Sequence, residues 1–187
     1  MERTRSLGHI ALGIGPGDGP AAAELLRALG LEVTDNGPSK MGDPWYTALV
    51  DPATFEGLEN LFFVVPTSHE QRALEAEMAE LDTAAFVAAK RDNPESASHV
   101  ALAYRDLETL EAAVRAVRDL DRVTVRAFRA KRGHADVDER MASSDVFADI
   151  TDEAFVDRTV QVFVQTDLVS TSLLCLGQTI ELDYVFS

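Results

Sequence analysis

An eight-residue pattern that occurs twice is the feature that most constrains how this chain can fold. It stands at residues 7–14, LGHIALGI, and returns at residues 97–104, ASHVALAY. Both copies place a histidine, His9 or His99, between a small and a β-branched residue, followed by Ala-Leu and another small residue. An Ala- and Leu-rich segment typical of a helix follows each copy. The sequence therefore predicts a duplicated supersecondary unit.

The strand period indicates what the two histidines face. Alternate side chains of a strand point to opposite sides of the sheet, and the residues two and four positions after each histidine are Ala or Gly. Small neighbours predict open space in front of each imidazole, while a helix covers the apolar opposite face. Neutral imidazole is a common metal ligand. Two histidines on matched strands therefore favour a metal site, and a pair of hydrogen-bonded core histidines is the alternative.

Apolar alternation, turn residues and helix caps predict a β-α-β-β-β succession in each half of the chain. The predicted strands of the first half are residues 6–14, 31–35, 45–50 and 59–65, and its helix is 21–29. Those of the second half are residues 97–104, 123–128, 159–165 and 179–186, and its helix follows a capping residue, Asp106. We therefore expect an α+β chain with a first module at 1–66, a helical connector at 67–95 and a second module at 96–187.

The second module contains an insertion at about residues 129–157 that has no counterpart in the first. The segment is polar, of mixed charge, and includes Lys131-Arg132-Gly133-His134. One interpretation is a solvated insertion. The other is a lid, or a loop that grasps an acidic group of a ligand.

The last predicted strand carries two acidic residues on one face. Glu181 and Asp183 alternate with apolar neighbours, and Gln161 and Gln165 of the preceding strand are expected to face the same way. This face is either the solvent side of the sheet or, if the strand lies beside the His99 strand, the wall of a cavity.

Composition narrows the class of partner and the expected location. The net charge of −15 over 187 residues argues against nucleic acid and anionic membranes, which need a basic surface. A single cysteine, Cys175, excludes an intrachain disulfide framework and is expected to be buried and inert. The sequence has no signal-peptide pattern and no apolar run near the roughly 18 residues needed to span a bilayer. We therefore expect a cytoplasmic protein.

The glycines at 15–20 fit neither the dinucleotide fingerprint nor the P-loop.

Together, these features resemble a known superfamily. Paired β-α-β-β-β units, a histidine in the first strand of each, and a last strand that reads QTIEL at 178–182 are similar to the vicinal oxygen chelate superfamily. Its members include glyoxalase I, methylmalonyl-CoA epimerase, extradiol and hydroxyphenylpyruvate dioxygenases, and the bleomycin and fosfomycin resistance proteins. The resemblance covers residues 6–66 and 97–187. It implies two modules forming a curled mixed sheet that cups a metal or ligand cavity, and a homodimer in which the modules pair within one chain or swap between chains.

The resemblance also implies a set of metal ligands. By position, His9 and His99 match the first-strand histidines of the superfamily, and Glu181 matches its last-strand glutamate. Some members take a fourth ligand from the last strand of the first module. Glu59 is the carboxylate there, although it stands at the start of the predicted strand, and an alignment on Pro66 places Phe62 at that position instead.

The number of ligands separates two kinds of chemistry. With Glu59, the site suits a Zn²⁺, Ni²⁺ or Co²⁺ Lewis acid while Glu59 or Glu181 moves a proton, as in a lyase or isomerase. Without it, two histidines and one carboxylate suit Fe(II) and O₂, as in a dioxygenase. Both versions describe a metal-dependent enzyme whose small substrate chelates the metal through adjacent oxygens. The alternative function is a metal-free, antibiotic-binding resistance protein of the same fold.

Overall fold

The computed structural model describes residues 7–54, 59–171 and 177–186, and the chain divides into two compact units. Unit 1 comprises residues 1–84 and 167–178, and unit 2 comprises residues 85–166 and 179–187. The expectation of a buried thiol falls on Cys175, which lies outside the described residues. Among the described residues, no helix is long and apolar enough to cross a membrane.

Unit 1 is built on a four-stranded mixed sheet. Its elements are β1 (His9–Ile14), α1 (Gly19–Ala28), β2 (Glu32–Pro38), β3 (Pro44–Leu49), β4 (Leu61–Pro66) and α2 (His69–Ala79). The strand order is β1-β4-β3-β2, with β1 parallel to β4 and the other neighbours antiparallel. The predicted apolar face of β1 is confirmed, because Leu12 and Ile14 are buried and pair with Val64 and Pro66 of β4. Helix α1 packs on β2 and β3.

Unit 2 repeats this arrangement. Its elements are α3 (Ala84–Asp92), β5 (His99–Ala103), α4 (Leu107–Arg118), β6 (Val123–Phe128), α5 (Ala135–Ser143), β7 (Thr159–Thr166) and β8 (Gln178–Val185). The strand order is β5-β8-β7-β6, and β5 is parallel to β8. Helix α4 begins as predicted, because the carboxylate of Asp106 accepts a hydrogen bond from the backbone N–H of Thr109 at 2.7 Å. The α+β class is therefore confirmed, with the same strand order in both sheets.

Several predicted element boundaries differ from the structure, including those of β4 and β2. Strand β4 begins at Leu61 and not at Glu59, because Asn60 adopts a left-handed φ of 53° that interrupts the extended chain. The connector, for which the sequence allows one helix or a broken pair of helices, forms the pair α2 and α3. Strand β2 continues to Pro38 instead of ending at residue 35, and its register with β3 shifts between Asp35 and Pro38.

The insertion at 129–157 is part of the core of unit 2, so the solvated-loop interpretation is wrong. Its residues Val137, Met141 and Phe147 are fully buried. The first two lie four positions apart on α5 and therefore share one face of that helix. Ser144 fixes the segment to α4, since its hydroxyl donates to the buried carboxylate of Glu111 at 2.5 Å. Most residues of the segment are polar, so its composition did not indicate the few apolar residues at helical spacing that are buried.

Truncation of Phe147 tests this packing. Phe147→Ala is expected to lower the free energy of unfolding by about 3–5 kcal/mol, because it removes a fully buried ring. Val156→Ala is the matched control in the same segment, since Val156 is 53% exposed and its loss is expected to change stability by less than about 0.5 kcal/mol. Urea unfolding measures both variants. If both substitutions changed the free energy of unfolding by the same small amount, the insertion would be a solvated loop after all.

Candidate functional site

Unit 2 brings His99 and Glu181 together. The parallel register of β5 and β8 pairs Ala101 with Glu181, and this pairing places Glu181 on the same face of the sheet as His99. Nε2 of His99 lies 3.0 Å from Oε2 of Glu181. The glutamate is buried, with 4% of its surface exposed. A glutamate at this depth needs compensating partners.

Two further hydrogen bonds fix the direction of these side chains. Nδ1 of His99 lies 2.8 Å from the carbonyl oxygen of Ala97. Because a carbonyl only accepts, Nδ1 carries the proton of this bond and Nε2 is the atom directed at Glu181. Nε2 of Gln161 donates to the other carboxylate oxygen of Glu181, Oε1, at 2.6 Å. Second bonds of this kind commonly orient the histidine and carboxylate ligands of metals.

The surroundings of this pair are acidic. Asp183 follows Glu181 on the same face of β8, and Glu95 reaches the amide of Gln161 at 3.3 Å. Burial, followed by the neighbouring carboxylate of Glu181, raises the pKa of Asp183 to about 7. Oδ1 of Asp183 is buried and has no hydrogen-bond partner among the described residues. The carboxyl groups of Glu181, Asp183 and Glu95 give this part of unit 2 a negative potential, which favours a positive charge here.

Phenylalanine side chains form one wall of the site. Phe163 on β7 is fully buried, and its ring centroid lies 6.2 Å from that of His99 in an edge-to-face arrangement. The ring of Phe155, which belongs to the insertion, packs against those of Phe128 and Phe163. This wall keeps one side of the imidazole away from water.

In unit 1, a cleft lies beside the small residues of β1, and His9 is not among the residues that line it. Ala11 and Gly13 line this cleft of about 520 Å³ together with residues of β4, α2 and the 170–171 segment. The backbone of Ser170 pairs with Gly13 at the edge of β1. A Cβ on Gly13 would lie within 2.8 Å of Thr67 Cγ2, so a larger residue here would require the Thr67 side chain to move.

The position of unit 1 that corresponds to Glu181 is occupied by Phe63. In unit 2 the residue two positions after the histidine, Ala101, pairs with Glu181, and in unit 1 the corresponding Ala11 pairs with Phe63. The rings of His9 and Phe63 are in edge-to-face contact, with centroids 4.7 Å apart. An aromatic contact thus stands in unit 1 where unit 2 has an imidazole–carboxylate contact.

The two residues predicted from sequence for this position lie elsewhere. Phe62 is buried on the opposite, apolar face, where it pairs with Ile10. Glu59 is a half-buried residue two positions before β4 and is not part of a helix or strand. The register therefore does not bring Glu59 to the position equivalent to Glu181.

The donor set of unit 2 fits a metal ion in chemistry and spacing. Ligand bonds of 2.0–2.2 Å at a right angle separate the two donor atoms by about 3.0 Å, which is the distance between the facing atoms of His99 and Glu181. Within residues 7–54, 59–171 and 177–186, no group of three or more His, Cys, Asp or Glu side chains is arranged to hold a metal. The candidate is therefore a pair of ligands in unit 2, while His9 and Glu59 belong to unit 1.

Glu95 is a neighbour of the His99–Glu181 pair that the sequence did not predict. It lies in a short 3-10 turn, Pro94–Ser96, after α3. Its place depends on Arg126 of β6, whose guanidinium donates to the last carbonyl groups of α3, those of Arg91 and Asp92, at 2.9 Å each. Nothing in the spacing of the sequence indicates this long-range capping.

Comparison with known proteins leaves the family open. No protein-family model and no curated protein sequence matches the chain. A solved structure described as that of hypothetical protein SA1046 from S. aureus is similar with a TM-score of 0.46 and 10% identity, over 98% of this chain and 95% of that one. A likeness this distant carries no argument about fold or function.

Proposed function

We propose that this protein is a metal-dependent enzyme of the vicinal oxygen chelate type. His99 and Glu181 are the metal ligands of unit 2, and the resemblance adds His9 as a third. The observation that carries the proposal is the 3.0 Å contact between Nε2 of His99 and Oε2 of Glu181, with the far atom of each side chain already tied by its own hydrogen bond.

The state of the imidazole supports a cation at this contact. Because Nδ1–H of His99 is engaged by Ala97, a neutral ring has only a lone pair at Nε2. A lone pair that faces a carboxylate oxygen is unfavourable unless a metal or a proton lies between the two atoms. The nearby carboxylate of Glu95 adds negative potential, which attracts a divalent cation more strongly than a single charge.

The position of Phe63 supports a site with three protein ligands. A phenyl ring cannot bind a metal as a carboxylate does, and Phe63 stands where the repeat would place the fourth ligand. The two histidines and one carboxylate that the resemblance implies would leave open positions of the kind used with Fe(II) and O₂. We therefore favour oxygen-dependent chemistry over a four-ligand Lewis acid site.

The proposed substrate is a small molecule with two adjacent oxygen atoms. A metal held by His99 and Glu181 would bind both oxygens and stabilise negative charge that develops on them. Glu181 presents one oxygen toward His99, Gln161 holds the other, and the Phe163 ring excludes water on the imidazole side. The curled, cupping arrangement of the sheets is expected from the resemblance and stays a prediction.

Substitution of the ligands tests the metal site. Protein purified without chelator or nickel resin, under nitrogen, is expected to bind about one Fe(II) per chain. His9→Ala, His99→Ala and Glu181→Ala are each expected to lose stoichiometric binding, measured by elemental analysis after dialysis, while circular dichroism shows the fold retained. His69→Ala is the control, since His69 is an exposed residue at the start of α2.

Two results would contradict this proposal in different ways. Full metal content in all three ligand variants would mean that the ligands are misassigned. A wild-type protein that takes up neither Fe(II), Zn²⁺, Ni²⁺ nor Co²⁺ would favour the metal-free binding protein, in which a proton joins His99 to Glu181. Thermal shifts with aromatic natural products would then be the next measurement.

Glu59→Ala separates the three-ligand from the four-ligand site. We expect the variant to keep the wild-type dissociation constant for Fe(II) and for Zn²⁺, because Glu59 lies outside β4 while Phe63 occupies the equivalent position. Glu181→Ala, titrated in parallel, is the positive control for loss of a ligand. A Glu59→Ala variant that binds Zn²⁺ about tenfold more weakly, a difference of about 1.4 kcal/mol, would restore the Lewis acid interpretation.

A further inference from the structure

We infer that Gln161 is a positioning residue for Glu181 and that the 129–157 insertion sets the direction of its amide. The inference rests on the proposed function and concerns how unit 2 holds one of its two ligands. Gln161 lies on β7 and is 2% exposed. At this depth the polar atoms of its amide must find partners inside the protein.

The hydrogen-bond network determines which way the amide points. Its oxygen, Oε1, accepts from the backbone N–H of Phe155 at 2.7 Å. Its nitrogen, Nε2, donates to Glu181 at 2.6 Å and to Glu95 at 3.3 Å. A backbone N–H only donates and an ionised carboxylate only accepts, so the opposite orientation of the amide would lose all three bonds.

The insertion supplies the fixed point of this network. Phe155 follows Ala154, whose N–H donates to the backbone carbonyl of Arg129 at 2.8 Å. The N–H of Arg129 donates to the backbone carbonyl of Asp152 at 2.9 Å. The Phe155 ring packs 5.3 Å from the Phe128 ring. The end of the insertion is thereby held against the sheet, and its N–H is presented to Gln161.

As a result, one carboxylate oxygen of Glu181 is held by a hydrogen bond and the other oxygen points at His99. Gln161 engages Oε1, so that Oε2 faces Nε2 of His99 at 3.0 Å. This arrangement prepares Glu181 to bind a metal through a single oxygen.

The test compares two glutamines of the same strand. Gln161→Met removes the amide but keeps the length of the side chain. Gln165→Met is the matched control, because Gln165 lies on the same face of β7 and donates to a backbone carbonyl, that of Lys90, at 3.2 Å. Each variant is titrated with Co²⁺, and its metal-free crystal structure is determined. The absorption spectrum of bound Co²⁺ reports the geometry of the ligands.

We expect Gln161→Met to weaken Co²⁺ binding by about 10- to 100-fold, the usual effect of removing an outer partner of a metal ligand, and to change the Co²⁺ spectrum. In its metal-free structure, Oε2 of Glu181 should leave its contact with His99. Gln165→Met should keep the affinity, the spectrum and the contact. Equal affinities in the two variants, with the contact retained in both, would overturn the role of Gln161.

The crystallographic measurement separates this inference from the proposed function. If wild-type protein binds no Co²⁺, the metal function fails, yet a Glu181 carboxylate displaced only in Gln161→Met still supports positioning. If wild-type protein binds no Co²⁺ and the contact is also retained in Gln161→Met, both the metal function and the positioning role are overturned. Should Gln161→Met fail to fold, Gln161→Glu at pH 8 replaces it, because the introduced carboxylate still accepts from the Phe155 N–H but repels Glu181. A Glu181 that stays 3.0 Å from His99 in this second variant would overturn the inference.

Discussion

Parallel pairing between the first and last strands of each unit is the constraint on which the candidate site depends. Parallel neighbours cannot be joined by a hairpin, so the rest of each unit forms the crossover that separates them along the chain. In unit 2 this pairing sets β8 beside β5 and brings Glu181 to a histidine that is distant in sequence. Because the side-chain period of a strand is two, a slip of one residue would turn Glu181 into the apolar core.

The same backbone register serves two different purposes in the two units. In unit 1 it places Phe63 beside His9, and the centroid of the Trp45 ring lies 6.0 Å from that of the Phe63 ring. In unit 2 it places Glu181 beside His99, with Gln161 as its hydrogen-bond donor. A duplicated scaffold can thus keep its strand pairing while the residue at one position changes from aromatic to acidic.

Features governed by local spacing could be predicted from the sequence, and features governed by distant packing could not. Alternation along β1 predicted the buried face of Leu12 and Ile14, and a single side chain, Asp106, predicted the start of α4. The placement of Glu95 depends instead on Arg126 of another strand. The break before β4 follows from one left-handed residue, Asn60, whose conformation its residue type permits but does not require.

The burial of Glu181 and the raised pKa of Asp183 mark this face of unit 2 as a place where stability is not the governing requirement. A hydrophobic side chain of similar size would avoid the desolvation of a carboxylate, and replacing buried ion pairs in this way is often neutral or stabilising. Removing only one partner has the opposite effect, because a buried charge is then left uncompensated. Loss of His99 or Gln161 is therefore expected to weaken the fold as well as the candidate site, and the binding tests proposed for these variants are comparable only at temperatures where each variant is fully folded. Local conflict with the rules of a well-packed core is typical of functional positions, and in unit 2 that conflict is concentrated on the residues around His99.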